Sequence, residues 1–349
     1  ARGFLLMPVE IKALDSTTFD VWDDYVEKAP AATFFHRAGW STVLQRAFGH
    51  KTQFLYAEQN GDIVGILPLA EVKSLLFGHS LSSLPFCVYG GIVAETEDAA
   101  AALRKAACEL ADRLRVGALE LRNYHPSDSG WPVKELYFTF RKAIEPDDET
   151  NLKAIPNRQR AMIRKGIGEG LQSDWDPGTE RLYRVYAESV RNLGTPVFSA
   201  KYLRILREVF ADDCSVLMIT QEGQDVAGVM SFYFRDEVLP YYGGSTAEAR
   251  TIKGVNHFMY WELMRRSREQ GVRLFDFGRS KADTGPFSFK KNFGFKAQPL
   301  PYEYYLVTSP AVPDVNPLNP KYRMMVNAWS RLPLPLANLL GPPLARNLG

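Results

Sequence analysis

The side chains of this 349-residue chain that could do chemistry fall in three stretches between residues 153 and 295. The first is Asn157-Arg158-Gln159-Arg160-Ala161-Met162-Ile163-Arg164-Lys165, which together with Lys153 gathers cations and no acid. At helical spacing Arg160 and Arg164 form one stripe and Arg158 and Lys165 another, leaving Met162, Ile163 and Ile167 to pack inward. A self-satisfied surface helix interleaves glutamates, so this one suits phosphate binding as well as it suits a solvated face. The second stretch, Arg250-Thr251-Ile252-Lys253-Gly254-Val255-Asn256, places two cations and a glycine for close backbone approach ahead of a helix running from Val255 to about Gln270. Backbone N–H groups, the positive end of a helix dipole and adjacent cations can cradle a pyrophosphate, although a solvated helix entry gives the same pattern.

The third stretch is Leu274-Phe275-Asp276-Phe277-Gly278-Arg279-Ser280, followed by Phe287-Ser288-Phe289-Lys290-Lys291-Asn292-Phe293-Gly294-Phe295. Strand alternation sets Leu274, Asp276 and Gly278 on one face and Phe275 and Phe277 on the other. Asp276 is then either buried with a partner, Arg279 or a lysine, or it lines a cleft. Phe289 and Phe293 pack on one side of a short helix that Gly294 ends. Lys290 lies on a flank that can reach the cleft after Asp276, and Lys291 turns farther toward solvent.

These stretches are positioned by a repeated unit. The segment Thr33–Gly49 aligns without gaps on Thr195–Ala211, pairing Trp40 with Tyr202, Leu44 with Leu206 and Phe48 with Phe210, and both copies read as amphipathic helices. Asp62-Ile63-Val64-Gly65 then aligns on Asp225-Val226-Ala227-Gly228, each copy reading strand, tight turn, strand. Each copy continues with a third strand ending in a Gly pair, Gly90-Gly91 or Gly243-Gly244, then a long helix, then a strand, Ala118–Arg122 or Leu274–Gly278. That order is a mixed-sheet α/β unit, placed at residues 8–143 and 144–308, with a Pro-rich tail at 309–349. The copies differ at the long helix: the first begins Ala94-Glu95-Thr96-Glu97-Asp98, good helix-start chemistry but hostile to phosphate, so it should bind no nucleotide.

Taken together, a helix with N-x-x-R-x-x-I-R-K, a strand ending in D-F-G-R-S and then F-K-x-x-F-G resembles the FemAB family. More narrowly it resembles the FemAB-related proteins of exosortase and exopolysaccharide systems. The resemblance spans about residues 8–308, and the tail from Tyr322 to Gly349 also looks like the narrower group. It implies two tandem GNAT-like acyl-CoA N-acyltransferase units, the first on the acceptor side and the second on the donor side. It also implies transfer of an aminoacyl or acyl group to an amine, typically of a cell-envelope or exopolysaccharide precursor. By the resemblance, Phe289 and Lys290 contact the donor's acceptor-end nucleotides, and Arg158, Arg160 and Arg164, with Arg279, face the acceptor's phosphates. Arg250, Lys253, Gly254 and Asn256 are the candidates for the donor phosphates, and Lys290, Asp276 and Tyr242 for the reacting centre. Two departures stand out: no heptad segment for a tRNA-reading arm, and Leu44, Gln45 and Arg46 after Trp40 where many members carry a lysine. The donor is therefore open between aminoacyl-tRNA and an acyl-CoA.

Composition narrows the alternatives. The net charge is only +2, with 42 basic and 40 acidic residues, so no bulk attraction to DNA is expected. The five histidines, among them His36 and His257, form no ligand-spaced cluster, and the three cysteines are far apart, which suits a reduced cytoplasmic protein without a metal or covalently bound cofactor. Amine attack on an ester or thioester needs neither metal nor protein nucleophile, only positioning and a stabilised oxyanion, to which Lys290 and the strand at Tyr242-Gly243 are expected to contribute. No apolar run is long enough to span a bilayer, but the Pro-rich tail leaves peripheral contact with the inner membrane open. Two rivals remain: an acyl-CoA-dependent N-acyltransferase acting on a sugar amine or amino acid, and a non-catalytic scaffold of an envelope-polymer assembly.

Overall fold

The two aligned segments fold alike. Gly39–Phe48 and Ala200–Phe210 are both α-helices, and Trp40 and Tyr202 near their starts are fully buried. In both copies the helix begins partway into the aligned segment; in the first, Phe34–His36 forms a separate 3-10 turn capped by the Thr33 side chain. A computed structural model describes residues 8–74, 78–313 and 320–348. In it both copies run strand, helix, helix, strand, tight turn, strand. The first copy uses Glu10–Ala13, Phe19–Lys28, Gly39–Phe48, Leu55–Gln59 and Asp62–Leu67, and the second Gln172–Asp176, Glu180–Asn192, Ala200–Phe210, Cys214–Gln221 and Gln224–Phe234. The hairpin turns Asn60-Gly61 and Glu222-Gly223 each hold two successive positive φ angles, the geometry whose twist matches that of the flanking strands.

Beyond the hairpins the copies diverge. Gly243-Gly244 closes the strand Glu237–Ser245 as expected, but Gly90-Gly91 lies in an irregular segment and ends no strand. A Cβ on Gly90 would meet the Ser83 carbonyl oxygen at 2.3 Å and one on Gly91 would meet Asn123 Oδ1 at 2.2 Å. The glycines there serve close chain packing. The long helices follow, Glu97–Leu114 and Val255–Glu269, and after them the strands Ala118–Arg122 and Leu274–Asp276.

The chain divides into two compact units. One holds the first copy and takes up the segment Leu300–Asp314; the other runs from Leu136 to Pro299 and takes up the helices Pro320–Trp329 and Leu334–Ala345. Each unit thus includes a strand from beyond its own repeat. Tyr302–Leu306 pairs with Ala118–Arg122 and Val133–Lys134 in a six-stranded sheet of the first unit, which also has a four-stranded sheet. Tyr137–Ala143 pairs antiparallel with Leu274–Asp276 in the eight-stranded sheet of the second unit, setting Arg141 opposite Asp276. The second sheet is mixed, with Leu274–Asp276 parallel to Glu237–Ser245.

In the second unit the cationic stretch is the helix Asn157–Gly168, packed on Val255–Glu269. Ile163 is fully buried at this contact, but Ile167 is 53% exposed, so the expected inward face is narrower than the spacing of Met162, Ile163 and Ile167 implied. The crossing is close because it is built on glycines. A Cβ on Gly254 would stand 2.2 Å from the Met162 carbonyl oxygen, and one on Gly166 would stand 2.9 Å from Phe258 Cβ. Gly254 also has φ of +82°. Gly254→Ala should therefore cost well over the roughly 1 kcal/mol of a left-handed alanine alone. Gly223→Ala, at a similar φ of +80° in open space, should cost about that much. Urea melts of both variants check this; equal losses would mean that the helix crossing tolerates a side chain.

Candidate functional site

The helix crossing sets the first part of the site. Gly254 is the N-cap of Val255–Glu269 and no side chain caps that end, leaving first-turn N–H groups without an intrahelical or side-chain partner. Arg250, in the 3-10 turn Glu248–Arg250, and Lys253 and Asn256 are exposed beside it. The glycine's close approach is made to the cationic helix, which brings that helix against the uncapped end. On the cationic helix Arg158 and Arg164 are exposed with no acid paired to either among the described residues. Arg160 is turned back toward its own helix start, with long contacts of 3.4 Å to the Lys153 carbonyl and to Asn157 Oδ1. His257 Nε2 lies 2.7 Å from Gln159 Oε1, tying the two helices, and burial pushes the imidazole below its ordinary pKa. His257 is thus neutral and structural near pH 7.

The same histidine leads to the third stretch. Its ring stands 5.0 Å from that of Phe289 and 6.1 Å from that of Phe293, on the helix Gly285–Asn292 and just past its end. Phe289 and Phe293 do share one side, with centroids 5.6 Å apart, and Gly294 follows at φ of +94°. Phe289 is partly buried in an aromatic cluster with Tyr260 and Phe277, so it forms a wall behind the site. Lys290 reaches back, as its flank position implied, and its Nζ donates to the carbonyl oxygens of Phe277 at 2.6 Å, Arg279 at 3.1 Å and Gly278 at 3.3 Å. All three N–H bonds are used in pinning the turn after Asp276. Burial pushes its pKa down to about 7, opposed by the charge of Asp276. Lys291 is exposed.

Asp276 is fully buried. Its Oδ1 accepts from the Gly278 N–H at 2.7 Å, and Arg141 Nε lies 3.3 Å from Oδ2. Arg141 also pairs with Glu237. Arg279, which with a lysine was an expected partner, stacks its guanidinium 4.4 Å over the Tyr137 ring. Arg141 was not visible as a site residue, because it becomes Asp276's neighbour only through a strand pairing that no local pattern announces. Tyr242 lies in the buried aromatic group of Tyr186, Phe198 and Tyr202; its hydroxyl is 2.7 Å from that of Tyr202, and burial holds it well above the ordinary phenol range. The stretches therefore converge on one face of the second unit, whereas Tyr242 sits within the core.

The first unit offers a different surface. At the start of Glu97–Leu114, which Thr96 caps, a cavity of about 410 Å³ opens between Tyr89, Tyr124, Arg104 and the acids Glu95, Glu97 and Asp128. His36 on its wall is buried and pushed down to about 4, so it is neutral there. Among the described residues no cluster of His, Cys, Asp and Glu could hold a metal, and no helix is long and apolar enough to cross a membrane.

Residues 157–291 match the family model described as an acetyltransferase (GNAT) domain. Among solved structures the chain is similar to the crystal structure of FemX, at 15% identity and a TM-score of 0.69 over 91% of this chain and 100% of that one. It is also similar to the C-terminal domain of a putative lysylphosphatidylglycerol synthetase from Agrobacterium fabrum, at 14% identity and a TM-score of 0.56 over 82% and 91%. A tandem GNAT protein from the clavulanic acid biosynthesis pathway matches at 14% identity and a TM-score of 0.55 over 87% and 100%. No curated protein matches in sequence. The chain carries two GNAT-like units in tandem.

The depressed pKa of Lys290 has a consequence for stability. Below about pH 7 the amine is charged in both states and its burial cost is fully present. Between about 7 and the ordinary value of 10.5 the unfolded chain binds the extra proton, so stability rises with pH. The stability of the wild type relative to Lys290→Met should thus rise across that window and stay flat below it. Urea melts between pH 6 and about 10 give the result; a difference independent of pH would show the amine charged throughout.

Proposed function

We propose that this chain, a FemAB-like acyltransferase of the GNAT fold, transfers an aminoacyl or acyl group to an amine of a cell-envelope or exopolysaccharide precursor. The observation that carries this reading is the junction of the uncapped helix start at Gly254 with the acid-free helix Asn157–Gly168, inside the matched GNAT segment. Backbone N–H groups, Arg250, Lys253 and Asn256 would hold the donor's phosphates, with Arg158 and Arg164 extending the positive surface. Phe289 backs the site. Arg279 lies beside it, and Lys290 and Asp276 fix the turn Phe277–Arg279 at the strand end, so both would act by positioning the reacting carbonyl. In the reaction the acceptor nitrogen attacks the donor's carbonyl carbon, the C–O or C–S bond breaks, and the leaving alcohol or thiol takes up the proton the amine loses.

The acceptor is assigned to the first unit. Glu95, Glu97 and Asp128 at its cavity suit an ammonium-bearing molecule, and Tyr89 and Tyr124 offer flat apolar walls. The name of the lysylphosphatidylglycerol synthetase favours an aminoacyl donor; the tandem GNAT protein, whose name mentions AcCoA, favours the second reading, an acyl-CoA donor. Either donor places the reaction on the cytoplasmic side.

Incubation with charged tRNA, a panel of acyl-CoAs and candidate amines should yield an amide product with one donor class; no transfer from either would leave a non-catalytic scaffold. With the active donor held below saturation, Lys290→Met should lower transfer about tenfold, the order expected from losing one charge-assisted anchor, while Lys291→Met stays near wild type. Transfer by Lys290→Met within about twofold of wild type, at an unchanged melting curve, would remove this turn from the donor site.

A further inference from the structure

The helix Leu334–Ala345 is folded against the grain of its own composition. Its buried positions are the small residues Ala337, Gly341 and Ala345, spaced four apart, and a Cβ on Gly341 would meet the Val197 backbone nitrogen at 2.9 Å. Seating a helix by its small residues turns its large ones outward: Leu336, Leu339 and Leu340 are exposed, Leu339 by 71%. The preceding helix Pro320–Trp329 is seated likewise, with Val326 against Gly194 and with Met324 and Met325 exposed by 75% and 63%. Leu193, 69% exposed, lies on the chain segment between the two contact points Gly194 and Arg191, whose guanidinium reaches the carbonyls of Ser330 and Leu332. The two helices and Leu193 thus leave six large apolar side chains exposed, more than the isolated exposed leucine that needs no explanation.

Charge indicates what covers them. From residue 315 onward the sequence carries Lys321, Arg323, Arg331 and Arg346 and no aspartate or glutamate. Arg331 and Arg346 are exposed, and on the helical wheel Arg346 borders the face of Leu336, Leu339 and Leu340. A second copy docked by the same face would set cations against cations, since a two-fold contact is self-complementary. Apolar side chains bordered by cations, on a helix too short to span, match an anionic lipid surface. We propose that this face seats the protein in the plane of an anionic bilayer, with the leucines and methionines in the headgroup boundary and the arginines at lipid phosphates. The inference is independent of which acyl donor the site accepts.

Flotation of the full chain with vesicles tests it, using phosphatidylcholine alone and phosphatidylcholine with about one third phosphatidylglycerol. The wild type should partition at least about tenfold more strongly to the anionic vesicles, and added salt should weaken this. Leu339→Glu with Leu340→Glu should lower the partitioning by about tenfold, and Arg331→Gln with Arg346→Gln by severalfold with a flatter salt dependence. These side chains are exposed, so melting should be unchanged; if the leucine variant misfolds, Met324→Gln with Met325→Gln carries the same test. Equal partitioning of wild type and folded variant, or no preference for anionic vesicles, would overturn the proposal. Self-association that the leucine variant abolishes, without vesicle binding, would assign the face to a second copy instead.

Discussion

The start of one helix of the second unit lies against the backbone of another because Gly254 presents no side chain toward Met162 and Gly166. Gly254 and Gly166 make that contact possible, and much of the site depends on it. It brings a helix with no acid paired to Arg158 or Arg164 among the described residues against the open N-terminus of another, so that positive side chains and a positive dipole end add at one place. A larger residue at position 254 would both strain the left-handed backbone and push the helices apart. The glycine thus shapes a positively charged surface by packing.

A second constraint holds the floor of the site. Asp276, Arg141 and Glu237 form a partly to fully buried ionic chain across three neighbouring strands, and Asp276 also takes the Gly278 N–H. Lys290 closes the turn from the other side through three carbonyl oxygens. A buried ion network of this kind adds little stability over an apolar core, but it leaves its members few alternative partners and so fixes geometry. Rigid positioning is what an acyl transfer without metal or protein nucleophile most requires.

The duplication, the amphipathic helices, the hairpins and the F-K-x-x-F-G helix were legible in the sequence, because each is written in local spacing. The side of the helix from which Lys290 departs could be read off 100° per residue, and its reach to the turn after Asp276 followed. What could not be read is non-local. Nothing in Tyr137–Ala143 says that it pairs with a strand more than a hundred residues on, so Arg141 was missed. Gly90-Gly91 and Gly243-Gly244 look alike in sequence and both pack closely against neighbouring chain, yet only the second closes a strand. Tyr242, beside a glycine pair at a strand end, gave no sign that its hydroxyl would be taken by Tyr202.

Hydrogen–deuterium exchange with and without saturating donor asks most directly which unit carries the donor's phosphates. A donor held at the helix crossing slows exchange of the first-turn amides after Gly254 and of the turn Phe277–Arg279, and leaves the amides of Glu95–Ala99 unchanged. Protection at Glu95–Ala99, with none after Gly254, would contradict the assignment of the donor to the second unit.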